Sequence, residues 1–342
     1  MSSISTALSY KPDWPEAQAR WTAFWERDAV DRPCLDIKAS LPTDLPEVIA
    51  PEEPAEARWM DAEYIAQAWI RYFETTWFGA ESVPAGPHLM AGTTTGCGDY
   101  LHFETGGIGI RQSMSSIHEP VNWHPGPDDP WRPKVEEILN RLLDIAEGKF
   151  LVGNLGQYPV TDLLTMLRGN TEFMFDLMDD CDTCVKRLEE TLPAWLENDD
   201  YMRGIVEARQ GEFVSGWPGL WCRDYVRLTQ SDMSAMISED LFQRFVMKEL
   251  DALGDLHGRL WYHTCGCKRH INTILSRPYM WAIQYSPGPR EQDNGPEHID
   301  FYRQVQAAGR CLDIGAPFAD MEYLIRNLRP EGLLIRTWAP SR

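Results

Sequence analysis

Basic residues are scarce in this sequence. Of its 342 residues, 32 are Lys or Arg and 52 are Asp or Glu, so the formal net charge is −20. A surface this negative repels the phosphates of nucleic acids and the headgroups of anionic lipids. We therefore expect neither nucleic acid nor a membrane as a partner, and we predict a small-molecule substrate.

Long apolar runs are also missing. No segment approaches the ~18 apolar residues of a transmembrane helix, and residues 1–10 lack the basic and apolar regions of a secretory signal. The eight cysteines do not form a pattern typical of a small disulfide-bonded domain. We expect a cytoplasmic protein whose cysteines are thiols or metal ligands.

Motifs of several enzyme classes are absent. No G-x-G-x-x-G follows a predicted first strand, and no G-x-S-x-G nucleophile motif occurs. No pair of carboxylates has a spacing that indicates glycoside hydrolysis. The first absence disfavours an open, doubly wound sheet, which is our second choice of fold.

Short apolar segments alternate with amphipathic helices along the chain. Predicted strands start at residues 34, 83, 150, 213, 260, 281, 310 and 333. This alternation indicates parallel strands with right-handed crossovers. We predict an α/β fold, namely a (β/α)8 TIM barrel over residues 55–342, with an N-terminal helical extension and cap at residues 1–54.

Local patterns predict two features of the helices. An aromatic stripe at helical spacing predicts one helix over residues 56–78, and Asp129 before Pro130 predicts a helix start with Asp129 as its N-cap. His257 and His270 fall on predicted helices, and we expect both at the surface.

The strand predicted near residue 260 runs into metal-capable side chains, in the segment Arg259-Leu-Trp-Tyr-His-Thr-Cys-Gly-Cys267. Alternate residues of a strand share a face, so we expect His263 and Cys265 to point the same way. In a barrel, the carboxyl ends of the strands surround the active site. Imidazole and thiolate are donors typical of zinc, and a catalytic zinc needs three protein ligands. The candidates for the third ligand are Cys267, Cys311, Cys97, Cys222, Asp232 and Glu104.

Other residues at predicted strand ends are candidates by position. Those predicted to orient the substrate are Asn154, Asp232 and Gln284. Those predicted to bind it are Trp217, Trp221, Tyr285, Asp162 and Arg336. Two alternatives stay open: Asp232 as the N-cap of a helix from Met233, and the tryptophans as core residues.

Several segments resemble the uroporphyrinogen decarboxylase superfamily. They are residues 228–245, Tyr262-His-Thr-Cys-Gly266, Val160-Thr-Asp-Leu-Leu164, Leu167-Arg-Gly169 and Gly332-Leu-Leu-Ile335. The resemblance covers about residues 55–340 and implies a (β/α)8 barrel. It allows two chemistries.

The residues separate these two chemistries. True decarboxylases carry an Arg-Gln-Ala-Gly-Arg segment near the N-terminus, and residues 1–100 contain none. The cobalamin-dependent methyltransferases hold zinc with an H-x-C motif and a later cysteine, and the zinc activates a thiol. His263 and Cys265 match that motif, whereas residues 333–337 contain no cysteine.

The resemblance therefore implies a zinc-dependent methyltransferase that moves a methyl group between a corrinoid and a thiol or similar acceptor. Methylcobalamin or another corrinoid would be the methyl donor, with a corrinoid protein as a partner. One alternative is a decarboxylase or other lyase acting on a tetrapyrrole or other polycarboxylate, which Arg336 and Arg223 would bind. Another is a non-catalytic barrel that binds a corrinoid or tetrapyrrole.

Overall fold

The structure is a computed structural model that describes residues 7–87, 94–288 and 291–340. Its described residues fall into two compact units. The first comprises residues 43–75 and 84–220, and the second comprises residues 7–42, 76–83 and 221–340. The predicted domain boundary after residue 54 falls inside the first unit and stays a prediction.

Thirteen strands are found in the described residues. Their bounds are β1 (Cys34–Ser40), β2 (Thr76–Ala80), β3 (Ala85–Gly86), β4 (Leu101–Glu104), β5 (Gly107–Ile110), β6 (Leu151–Val152), β7 (Phe213–Val214), β8 (Trp221–Cys222), β9 (Arg227–Gln230), β10 (Leu260–His263), β11 (Met280–Tyr285), β12 (Cys311–Gly315) and β13 (Leu333–Ala339).

Twelve α-helices are found in the same residues. Their bounds are α1 (Trp14–Trp25), α2 (Ala57–Met60), α3 (Ala62–Glu74), α4 (Arg132–Ala146), α5 (Val160–Arg168), α6 (Asn170–Asp179), α7 (Cys181–Gln210), α8 (Glu239–Leu241), α9 (Met247–His257), α10 (Ile271–Leu275), α11 (Ile299–Ala307) and α12 (Met321–Asn327). A π-helical turn, Phe242–Val246, joins α8 to α9.

The second unit is built on one sheet of seven strands. Their order is β2-β1-β13-β12-β11-β10-β9. The neighbours from β1 to β9 are parallel, and β2 runs antiparallel to β1. Apolar parallel strands with helices between them make this an α/β fold, as predicted. The sheet formed by the described residues is not closed, so closure of a barrel stays a prediction.

The register of this sheet lines up polar residues on neighbouring strands. Gln230 lies opposite His263, His263 opposite Gln284, and Gln284 opposite Asp313. Gln230 and His263 are the last residues of β9 and β10. Since opposed residues of parallel strands point to the same face, the row forms a polar line across the carboxyl ends of these strands.

The first unit is mainly helical. The parallel pair β3 and β6 and a parallel bridge between Asn154 and Ser215 run through it, and β4 and β5 form an antiparallel pair. One face of α4 is buried through Val135, Ile138, Leu139, Leu142, Leu143 and Ala146. None of the described helices is long and apolar enough to cross a membrane.

The prediction of one helix over residues 56–78 is wrong in two places. The chain is extended at Asp61, whose side chain accepts a hydrogen bond from the N–H of Tyr64 and so begins α3 anew. Residues 76–80 form β2 because Thr and aromatic side chains suit a paired strand, and β1 supplies its partner.

Two other predicted bounds differ from the structure. Helix α4 begins at Arg132, and Trp131 precedes it without a capping side chain, so Asp129 is not its N-cap. The strand predicted from Val83 is reduced to β3, and its last three predicted residues, 88–90, lie outside the described residues.

Candidate functional site

The candidate site lies in the second unit, where β10 ends. His263 is the last residue of β10 and shares a face with Trp261, two residues earlier. Their rings are stacked, with centroids 6.4 Å apart and an angle of 15° between planes. Trp261 is fully buried, and its indole N–H donates to Oδ2 of Asp313 at 3.1 Å. The imidazole of His263 therefore rests on a ring that is itself fixed.

Gln284 sets the protonation of His263. Its Oε1 accepts a hydrogen bond from Nδ1 of the imidazole, so in the neutral ring Nε2 is left as the basic nitrogen. Burial lowers the pKa of His263 from its ordinary value, and the bond to Gln284 and the charges of Asp232 and Asp313 oppose this effect without cancelling it. The ring is therefore neutral at pH 7 and able to bind a proton or a metal ion.

Cys265 lies in a turn beyond the strand. Its φ is +46°, and Gly266 follows with φ +73°, so the chain turns sharply here. The prediction that Cys265 continues the strand is wrong, because β10 ends at His263, so strand alternation does not decide where the Cys265 side chain points. The turn instead brings the thiol to Asp232, whose Oδ1 accepts a hydrogen bond from Sγ at 2.8 Å.

Asp232 is exposed and begins the 3-10 turn Asp232–Met236 that follows β9. It is not a helix cap, since Ser231 precedes the turn and no side chain caps it. Its Oδ1 also accepts a hydrogen bond from Nε2 of Gln230 at 3.2 Å. Asp232, His263 and Cys265 thus come together because the carboxyl ends of two neighbouring parallel strands meet at one edge.

The other predicted cysteine ligands are placed differently. Cys267 is buried, and its N–H donates to the carbonyl of Thr264. Cys311 begins β12 opposite Ala282, two positions below Gln284, so it lies about 7 Å towards the amino ends of the strands. Its Sγ donates to the carbonyl of Phe24 at 3.1 Å, and burial raises its pKa to about 12. Cys311 is a buried thiol in this structure.

These positions do not form a ready-made zinc site. The described residues contain no group of three or more His, Cys, Asp or Glu side chains already placed to hold a metal ion. Of the other proposed third ligands, Cys222 is buried with its pKa raised to about 12, and Cys97 and Glu104 belong to the first unit. The donor types at the site still suit zinc, because a neutral imidazole, a thiol and a carboxylate converge on one edge.

Arg336 is held by two carboxylates. Its Nε and Nη2 donate to Oδ1 and Oδ2 of Asp313 at 2.7 and 2.9 Å, and Nη1 donates to Asp36 at 3.3 Å. Lys38 lies 2.8 Å from Asp36 and balances its charge. The arginine that the decarboxylase alternative assigns to a substrate carboxylate is therefore occupied by the protein's own carboxylates.

Two predicted substrate-binding rings are buried. Tyr285 is fully buried and donates its hydroxyl to Oε2 of Glu291 at 2.5 Å. Trp221 packs edge-on against Trp14, with ring centroids 5.7 Å apart. These positions give no support to ligand stacking by either ring.

Three predicted residues belong to the first unit. Asn154 lies two residues after β6, and both polar atoms of its side chain are buried without a hydrogen-bond partner. Asp162 is buried in α5, and Trp217 is 43% exposed. The unsatisfied amide of Asn154 is the feature in this group that suits an orienting contact with a substrate.

Sequence reasoning missed Gln230 and the strand that carries it. In β9 the buried positions are Arg227 and Thr229, which are polar, so the segment gives no apolar alternation to detect. The signal that was available is its position, since it ends directly before Asp232.

No protein-family model matches the chain, and no curated protein matches it either. A solved structure, described as a methyltransferase from Methanosarcina mazei, aligns with a TM-score of 0.60 over 95% of this chain and 93% of that chain. The two chains share a fold. At 14% sequence identity, the likeness is one of fold alone.

Proposed function

We propose that the protein is a methyltransferase on a (β/α)8 barrel that moves a methyl group between a corrinoid and a thiol or similar acceptor. The observation that carries the proposal is the contact of Cys265 with Asp232 beside His263, where β9 and β10 end. The fold shared with a solved methyltransferase along nearly the whole chain supports it. In such barrels the chemistry takes place at the carboxyl ends of the strands.

His263, Cys265 and Asp232 are the zinc ligands in this proposal. Gln284 keeps Nδ1 of His263 protonated, so Nε2 is the nitrogen that would bind the metal ion. The three donors do not form a ready-made cluster, so binding would have to draw them together. Zinc held in this way would lower the pKa of an acceptor thiol and keep it nucleophilic at pH 7.

The protein's own side chains also manage the proton of Cys265. Asp232 accepts the S–H hydrogen bond, and its exposed position lets that proton pass to water when the thiol ionises. Gln230 donates to the same carboxylate oxygen and keeps Asp232 turned towards Cys265. The ring of Trp261 stacks with that of His263, with centroids 6.4 Å apart.

Two measurements test the proposal. The first is zinc content, for which we expect about one equivalent in the wild type and strong loss in Cys265→Ser and His263→Ala. The second is loss of the methyl group from methylcobalamin in the presence of a thiol such as 2-mercaptoethanol. Cys267→Ser is the matched control, and it should retain both zinc and activity.

The outcomes separate the parts of the proposal. If the wild-type protein contains no zinc but still demethylates methylcobalamin, the zinc part of the proposal is wrong and the methyl-transfer part stands. A wild type that neither binds zinc nor transfers the methyl group to any thiol would overturn the proposed function. If Cys267→Ser and Cys265→Ser lose zinc to the same extent, the third ligand is Cys267 and not Asp232.

A further inference from the structure

A cluster of arginines lies at the opposite end of the same sheet. Arg259 directly precedes β10, Arg310 directly precedes β12, and Arg27 follows α1. The guanidinium carbon of Arg27 lies 3.7 Å from the ring centroid of Trp281, near the start of β11, and that of Arg259 lies 4.6 Å from it. Positive charge is thus concentrated at the amino ends of three neighbouring strands.

These arginines have few acidic partners. Arg259 has one carboxylate, Asp224, at 3.7 Å. Among the described residues, Arg27 and Arg310 form no ion pair. Arg27 shares a side-chain hydrogen bond with Cys311, and the Nε atom of each arginine is buried without a hydrogen-bond partner. Nη2 of Arg310 donates to the carbonyl oxygens of Leu275 and Arg277 at 3.1 Å, and its buried Nε–H group is left unsatisfied.

The surroundings do not neutralise this charge. Burial lowers the pKa of Arg310, and the positive charge of Arg27 lowers it further. The nearby thiols of Cys311 and Cys222 supply no negative charge, because burial raises the pKa of each to about 12. In a chain of net charge −20, three neighbouring arginines with Asp224 as their one paired carboxylate among the described residues are an exception that points to an anion.

We propose that Arg27, Arg259 and Arg310 form an oxyanion site that binds a phosphate or carboxylate group. Guanidinium N–H groups match the oxygens of these anions in geometry and charge. The two unpaired Nε–H groups would donate to the anion, and Trp281 would hold the arginines in place. The site is at the other end of β10 from His263 and does not depend on the proposed methyl transfer.

Binding of inorganic phosphate, with succinate as the carboxylate probe, tests this site. We would measure the dissociation constant by calorimetry and the shift in melting temperature, with NaCl added to keep the ionic strength constant. The variant is Arg27→Gln, and the control is Arg303→Gln, an exposed arginine of α11. We expect Arg27→Gln to weaken binding at least about tenfold, and the control to bind like the wild type.

Further variants keep the result interpretable. Arg27→Lys retains the charge and should bind better than Arg27→Gln but more weakly than the wild type. Arg310→Gln should also weaken binding. This variant also loses hydrogen bonds to two carbonyl groups, so if Arg310→Gln does not fold, the result for Arg27→Gln decides. A wild type that binds neither anion at about 10 mM, or binds as Arg27→Gln does, overturns the proposal.

Discussion

Oε1 of Gln284 accepts a hydrogen bond from the Nδ1–H group of His263, and the register of two neighbouring parallel strands sets the two residues opposite each other. The strand pairing itself therefore holds the imidazole, and a change at Gln284 removes one hydrogen bond without altering the backbone. This makes Gln284 the most selective position at which to test the site.

Gln284→Met keeps the length of the side chain and removes the acceptor for His263. We expect the fold to be retained and zinc affinity to fall about 10–100-fold, because the ring loses the partner that fixes its tautomer. Competition with a chelator measures the affinity, and ring nitrogen chemical shifts report the tautomer. Gln304→Met, at an exposed site on α11, is the control. Unchanged affinity in Gln284→Met would show that the bond does not position the ring.

Arg336→Met removes the cation shared by Asp313 and Asp36. Asp313 is fully buried and Asp36 nearly so. We expect a loss of about 3–5 kcal/mol in the free energy of unfolding, because the buried Asp313 loses its main partner and Asp36 keeps only Lys38 as a cation. Urea denaturation measures it. Arg326→Met, which breaks an exposed pair with Glu322, should cost no more than about 0.5 kcal/mol. Similar losses in both variants would contradict the structural role of Arg336.

Gly266→Ala tests the turn that carries Cys265. Gly266 has φ +73°, and an added Cβ would lie 2.7 Å from Cα of Gly288. Gly258 has the same φ, but its Cβ would meet open space. Gly258→Ala should therefore cost only the left-handed strain, about 1–2 kcal/mol, and Gly266→Ala should cost clearly more. Equal melting temperatures for the two variants would argue against the close approach of Gly266 and Gly288.

The contacts of Glu291 lead us to expect that the protein loses stability in acid. Its carboxylate accepts hydrogen bonds from Tyr285, Gly288 and Lys268, which together outweigh burial and lower its pKa to about 2. Because the pKa of Glu291 is lower in the folded state than in the unfolded state, its carboxylate stabilises the fold at pH values above the unfolded-state pKa. This stabilisation is lost as the pH falls through the folded-state pKa. Stability should therefore decline between about pH 4.5 and pH 2.

Glu291→Gln is the matching variant for this pH effect. It should be less stable than the wild type at pH 7, and the gap should narrow as the pH approaches 2. Denaturation at several pH values measures it. Parallel curves for the two proteins over that range would show that Glu291 does not carry the effect.

The sequence predicts the positions of the parallel strands well. Each of the eight predicted starts lies within two residues of the start of an observed strand, although β3, β6 and β7 have only two residues each. Strand β2 was predicted as helix, since the spacing of Trp77 continues an aromatic stripe and only pairing with β1 makes it a strand. Strand β9 has no apolar pattern at all.

The site was predictable in part. His263 follows from its position at a strand end, whereas the contact of Cys265 with Asp232 depends on a turn and on the unrecognised strand β9. His270, expected at the surface, is buried and bonded to Glu239 and to the carbonyl of Ser234. The sequence alone does not reveal that a polar residue beside a short helix is buried, because its hydrogen-bond partners come from distant segments.

The first strand and the last strand are neighbours. Strand β1 pairs with β13 from Cys34 opposite Leu334 to Ala39 opposite Ala339, and Arg336 binds Asp36, 300 residues earlier. During synthesis on the ribosome, β1 emerges about 300 residues before β13. One edge of β1 therefore keeps unpaired N–H and C=O groups until that stretch of chain has been made, which exposes the nascent protein to mispairing with other chains.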